Sequence, residues 1–232
     1  MRAPQQLITT AFEALARLRH ARAFHPRGVV VDGRLLLTDP GSATARALGG
    51  PAERPAVVRM SKGAGTPGNL PDLLGIAARV PLDGDRVLDL LFTSVGRGRV
   101  THLLLAPSRG WTSHPYSTFL HYRVDGRAML LTLDPEEPVR VRGTDPDAVR
   151  TAVDGGTVAF ALTERPVTGP PRTAGRLVLG PVRTDVRVSF DPVLNAHPRL
   201  RPVRPLSGVR RWAYTGSRRG RHADRDALHE SP

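Results

Sequence analysis

No cysteine occurs in the 232 residues, which removes disulfide frameworks, Cys-based zinc ribbons, iron–sulfur clusters and thiol catalysis together. Any bound metal must then take His, carboxylate or Tyr ligands. Lysine is almost absent too: among 34 Lys+Arg, Lys62 is the single lysine. No apolar run approaches the roughly 18 uncharged residues a membrane span needs, and the opening Met1-Arg-Ala-Pro-Gln-Gln has no apolar signal-peptide core. These absences predict a soluble, cytoplasmic protein with no membrane span. The length predicts one sizeable core, here a single domain over residues 1–221 followed by a polar, disordered tail over 222–232.

What is present is positive charge. The formal net charge of +13 invites an anionic partner such as nucleic acid, a membrane surface or an acidic small molecule. Heavy use of Arg, Ala, Gly, Pro, Leu and Val nevertheless marks a bias of the whole chain, so most of that charge reads as background. One stretch stands apart: Asn195 to His222 carries eight Arg and no acidic residue.

Residues 5–20 space Leu7, Phe12, Leu15 and Leu18 as an amphipathic helix does. Arg27 to Thr38 alternates around Asp32-Gly33, a short hairpin signal, and the pattern recurs from Ser117 to Leu133 around Asp125-Gly126. Further strands are predicted at Ala56–Ser61, Arg86–Thr93, Thr157–Leu162, Gly175–Leu179 and Asp185–Phe190. Short helices are predicted at Asp72–Arg79 and Leu206–Arg219, and Arg165–Gly175 reads as a Pro- and Gly-rich loop within the sheet. The order points to an α+β chain: a closed or nearly closed antiparallel β-barrel with one leading and one closing helix.

Gly63-Ala-Gly65-Thr-Pro-Gly68, with Asp89 about 20 residues on, matches the dinucleotide fingerprint. Pro67 and Pro71 delay any following helix, and the chain lacks the strand–helix alternation of a parallel sheet. The eight histidines form no HExxH, and there is no GxSxG elbow. His102, His114 and His121 read as surface or satisfied core residues.

Three segments carry more. On a helix, Arg210 and Tyr214 share one face, as do Ser217 and Arg221 a turn later. A guanidinium beside a phenol favours phenolate, a hard anionic ligand suited to ferric iron. An Arg-rich terminal helix with one half-buried Tyr accounts for the same spacing. Upstream, His25 in Arg22-Ala-Phe-His25-Pro-Arg-Gly28 enters a strand, and Arg59-Met60-Ser61 ends another. These two segments offer an acid/base group, a hydroxyl to orient it and further cations.

Taken in order along the chain, the three segments resemble the catalase family. Arg22 and His25 fall where that family has a haem-contacting arginine and its distal histidine. Arg59-Met60-Ser61 resembles its Arg-Phe-Ser motif, the serine steadying the histidine and the arginine facing a haem propionate. Asp72, Gly75, Ala77 and Arg79 follow its Asp-x-x-Gly-x-Ala-x-basic pattern. Arg210, Trp212, Tyr214, Ser217, Arg219 and Arg221 meet its proximal motif, and Gly175-Arg-Leu-Val-Leu179 with Phe190-Asp-Pro192 resembles its connecting barrel. The resemblance spans roughly Arg22 to Arg221, with much shorter loops than the large catalases.

It implies a catalase-like barrel and haem b with iron ligated by Tyr214. His25, Ser61 and Thr93 would be catalytic, and Arg22, Arg59, Arg210, Tyr214, Ser217 and Arg221 would bind the cofactor. Two departures matter: Thr93 stands where the family has a peroxide-binding asparagine, and Gly216 replaces an aspartate. Thr keeps one donor but lacks the reach of an amide. The expected activity is therefore reduction of hydrogen peroxide or organic hydroperoxides, peroxidase-type rather than fast catalase, with an unknown reductant. A haem-binding protein without turnover and an Arg-rich nucleic-acid binder are the alternatives. With only Trp212 and Tyr214 to stack on within Arg199–Arg221, nucleic acid is the weaker partner. Exposed sheet surface and an exposed haem edge would suit a homodimer.

Overall fold

The computed structural model describes residues 28–98, 101–137, 139–186 and 188–203. The helices expected at 5–20 and 206–219, and the expected tail, lie outside these residues. In chain order the elements are β1 (Gly28–Leu37), α1 (Ala43–Ala47), β2 (Ala52–Lys62), β3 (Leu74–Pro81), β4 (Val87–Ser94) and β5 (Tyr116–Ser117). They continue with β6 (Tyr122–Val124), β7 (Arg127–Pro135), α2 (Pro146–Gly155), β8 (Ala159–Pro166), β9 (Arg172–Arg183) and β10 (Leu200–Pro202). The sheet runs β10-β6-β7-β5-β4-β3-β2-β1-β9-β8, and β7 pairs with β8. That last pairing closes eight antiparallel strands into a barrel, with β6 and β10 extending as a flap from β7.

Alternation along each strand decides which side chains fill the barrel. In β3, Leu74, Ile76, Ala78 and Val80 are buried in one apolar cluster, while Gly75, Ala77 and Arg79 turn outward. The same parity places Val58 and Met60 of β2, Leu90 and Phe92 of β4 and Leu131 and Leu133 of β7 in that cluster. Tyr116 is fully buried with its ring edge-on to Phe160 at 5.8 Å, and its hydroxyl donates to the Trp111 carbonyl at 2.6 Å. Burial pushes the Tyr116 phenol well above its ordinary range. The interior is thus a packed core with side chains on every strand.

Three sequence expectations are corrected. Asp32-Gly33 is no turn: β1 runs unbroken, paired with β2 from Gly28↔Ser61 to Leu37↔Ala52. Gly33 faces inward, where a Cβ would meet Val58 Cγ2 at 2.7 Å, and Asp32 faces outward to Arg183 at 2.9 Å. The dipeptide therefore serves a mid-strand contact, and the β1–β9 register shifts beside it. Asp72–Arg79 is not a helix either. Its small and apolar residues alternate with period two, and Asp72 makes an isolated bridge to Ser108 before β3 begins. Asp185–Phe190 contributes no strand among its described residues.

The second Asp-Gly behaves as expected. Asp125 (φ 47°) and Gly126 (φ 86°) form the two-residue turn between β6 and β7, the conformation that favours this pair. The Arg165–Gly175 stretch is a hairpin connection, since β8 and β9 extend into it from either side. Both short helices escaped the sequence patterning: α1 is capped by Ser42, whose hydroxyl accepts from Ala45 N at 3.0 Å, and α2 by Asp145. No helix among the described residues is long and apolar enough to cross a membrane.

Candidate functional site

The outer face of β1–β4 brings together the described residues that the motifs single out. Register fixes three rows across it: Gly28–Ser61–Gly75–Thr93, then Val30–Arg59–Ala77–Leu91, then Asp32–Val57–Arg79–Asp89. Since strands lie about 4.8 Å apart, Ser61 and Thr93, both paired with Gly75, sit about 10 Å apart across a glycine. The first row carries nothing larger than a threonine. The result is a shelf of small, largely buried residues at one end of the barrel, where β1 and β3 begin and β2 and β4 end.

Gly28 is held bare by its neighbours: a Cβ there would stand 2.9 Å from the Met60 carbonyl oxygen and 3.2 Å from Arg59 Nε. Arg59 thus lays its side chain across Gly28, and it is half-buried without a carboxylate partner among the described residues. Burial lowers the Arg59 pKa, the direction expected of a cation that no acid compensates. Ser61 and Thr93 are 9% and 7% exposed, and neither hydroxyl is hydrogen-bonded to another described side chain. Small Gly, Ala and hydroxyl side chains beside a guanidinium without an acidic partner among the described residues are chemically compatible with a planar anionic cofactor.

The third row forms a wall. Asp89 is fully buried and accepts from Arg79 Nε at 2.8 Å and Nη2 at 2.7 Å. It also accepts from Asp191 N and Asn195 Nδ2, each at 2.8 Å. Arg79 donates to the Ser189 carbonyl at 2.7 Å and lies over the Phe190 ring at 5.3 Å. Asp89 raises the Arg79 pKa through these hydrogen bonds. One ion pair therefore fastens residues 189–195 against the outer face next to the shelf. Sequence reading placed Arg79 within a motif but missed this role of Asp89; its signal was an acid at a strand position otherwise flanked by leucines.

The glycine-rich loop is not a nucleotide cradle. Asp72 accepts from Ala64 N at 2.7 Å and from Thr66 N at 2.8 Å, so the amides that would face a phosphate already hold an internal carboxylate. The loop joins two antiparallel strands with no helix after it, and Asp89 is committed to Arg79. Of the other predicted site residues, His25, Arg22, Arg210, Tyr214, Ser217 and Arg221 lie outside the described residues. No cluster of three or more His, Asp or Glu able to hold a metal occurs among the described residues.

The closed eight-strand antiparallel barrel is that of a catalase-like fold. Solved structures similar to it include a bacterial catalase, with TM-score 0.62 and 12% identity over 88% of this chain. Catalase A from Saccharomyces cerevisiae follows with TM-score 0.59 and 13% identity over 81% of the chain. A fungal catalase matches with TM-score 0.57 and 14% identity over 83%. The chain spans 59%, 59% and 58% of the lengths of those three proteins, respectively. No protein-family model matches it, and no curated protein matches it by sequence.

Proposed function

We propose that the chain is a haem-binding oxidoreductase that reduces hydrogen peroxide or organic hydroperoxides, peroxidase-like in preference to a fast catalase. The observation that carries this reading is the row Ser61, Gly75 and Thr93 on one face, with Arg59 beside it and without an acidic partner among the described residues. The three similar structures are catalases, which supports the same assignment. Haem, when bound, supplies the redox-active iron that exchanges electrons with a peroxide.

The protein's own residues divide the remaining work. Arg59, with Arg22 and Arg221, would neutralise the cofactor carboxylates through charge-assisted hydrogen bonds. Tyr214 would ligate the iron as phenolate, its charge held by Arg210. Ser61 would orient the His25 imidazole, and His25 would carry a proton from the inner to the outer peroxide oxygen, so that the leaving group departs as water or an alcohol. Thr93 offers one hydroxyl donor where an amide would offer two, which favours substrates that need less fixation of a small peroxide.

Absorbance of purified, haem-reconstituted protein tests the reading. A ferric–phenolate spectrum that is lost in Tyr214→Phe is expected; a protein that takes up no haem refutes it. Turnover of cumene hydroperoxide should then fall in His25→Ala, and unchanged turnover removes the acid/base role.

A further inference from the structure

The opposite end of the barrel holds a second concentration of charge that the shelf does not use. In the flap, β10 pairs with β6 so that Arg201 stands directly opposite Arg123, and Arg123 stands opposite Ala128 of β7. Both arginines are exposed. Directly opposed like charges on a strand pair are destabilising unless something anionic lies between them, and no acid among the described residues pairs with either. The nearby carboxylates are taken by other arginines: Asp39 is bound by Arg172 at 2.8 Å, and Asp125 by Arg199 at 2.8 Å and by Arg46 at 3.5 Å. These guanidiniums hold the Asp125 carboxyl below the ordinary carboxylate range, Arg199 first.

Beside this patch opens a cleft of about 790 Å³ between the start of β7, the loop before α1 and the β8–β9 connection. Ala128 lines it, so the cleft begins where the Arg201–Arg123 row ends. Arg46 and Arg127 stand at its rim, and Met129, Pro166, Val167 and Pro170 give it an apolar lining. Arg127 is exposed and has no acidic partner among the described residues. Glu164, the acid in the cleft, is spent on α1: it accepts from Ser42 Oγ at 2.7 Å, Ala43 N at 3.1 Å and Thr44 N at 2.5 Å.

We propose that this end of the barrel binds a small organic phosphate, its charged end held by Arg123, Arg201 and Arg127 and its apolar body lodged in the cleft. The guanidinium fork pairs with phosphate oxygens in two-point contacts, and a phosphate offers a third oxygen and more charge than a carboxylate, so it can engage more than one arginine. A phosphate there would also remove the Arg123–Arg201 repulsion. The site lies at the other strand ends from Ser61 and Thr93 and does not depend on haem.

Calorimetric titration of the full chain at low salt, with inorganic pyrophosphate and geranyl diphosphate as probes, separates the charge from the body. Both should bind, with geranyl diphosphate tighter by about tenfold; equal affinities would overturn the assignment of the cleft. Arg123→Ala with Arg201→Ala should weaken both probes by about tenfold or more, whereas Arg34→Ala, an exposed arginine paired with Glu53, should leave them unchanged. An unaltered circular dichroism spectrum shows that the doubly substituted chain is folded. Absence of binding at about 1 mM of either probe, or equal loss in Arg34→Ala, overturns the proposal. So does a short duplex DNA that binds through the same arginines while both small probes fail.

Discussion

Replacing Asp89 by Asn keeps the side-chain shape and removes its charge, which makes it a sharp probe of the wall beside the shelf. One carboxylate oxygen accepts from Arg79 Nε, and the other from Arg79 Nη2, Asp191 N and Asn195 Nδ2. The least damaging orientation of an amide turns its NH2 toward Arg79 Nε, so two donors face each other. A hydrogen bond to a charged group contributes about 1.5–3 kcal/mol, and removing one partner of a buried pair costs about 3–5 kcal/mol. Arg79 is 24% exposed on its side chain and can partly rehydrate, so the lower part of that range applies, about 3 kcal/mol. Urea unfolding at an unchanged m-value should report that loss as a lower midpoint. Protease cleavage within residues 189–195 should accelerate in the same variant. Combining Arg79→Met with Asp89→Leu should recover about 2 kcal/mol relative to Asp89→Leu alone, because no unpaired charge is then left against the sheet. A loss under about 1 kcal/mol, the value of a solvated surface pair, would refute the reasoning.

Tyr116→Phe should cost about 1–2 kcal/mol in the same assay, because the Trp111 carbonyl loses its donor inside the core. His114, His121 and His197 all have pKa values lowered by burial, His114 with help from Arg97 and His197 from nearby arginines. The unfolded chain then binds more protons than the folded one as pH falls below 6.5, so stability should decline there. Replacing all three by Gln should flatten that step; a step that persists assigns it elsewhere. A second decline should appear below pH 3.8, where Asp39 and Asp125, held low by a backbone amide and by arginines, take up protons first in the unfolded state. Gly28→Ala should cost about 1–2 kcal/mol, since Met60 or β1 must shift to admit the Cβ. It should also weaken haem uptake more than the equally conservative Gly155→Ala, a position with open space around it.

How far the sequence reveals this molecule depends on the range of the information. Alternation is local, and it located most of the barrel strands, including the turn at Asp125-Gly126. The same dipeptide at Asp32-Gly33 misled, because its role is set by Val58 on the next strand and by Arg183 far along the chain. The 72–79 stretch misled for a related reason: Ala and Leu favour a helix locally, whereas pairing with both β2 and β4 favours the extended form. Arg59, Ser61 and Thr93 were legible as candidates through motif resemblance, and their sharing of one face follows from strand parity. The Asp89 wall and the cleft at the far end were not legible, since each arises from residues about a hundred positions apart meeting in space.

Lys62 is 6% exposed, and its Nζ donates to the Gly68 carbonyl at 2.7 Å and to Thr144 Oγ1 at 3.0 Å. Because it is the only lysine, the folded chain shields its one side-chain amine, and its surface cations are arginines that stay charged far into the alkaline range. Amine-reactive reagents should therefore label this side chain only when the loop after β2 opens. The rate of Lys62 modification becomes a built-in clock for local unfolding at the shelf end of the barrel, readable by mass without any engineered probe.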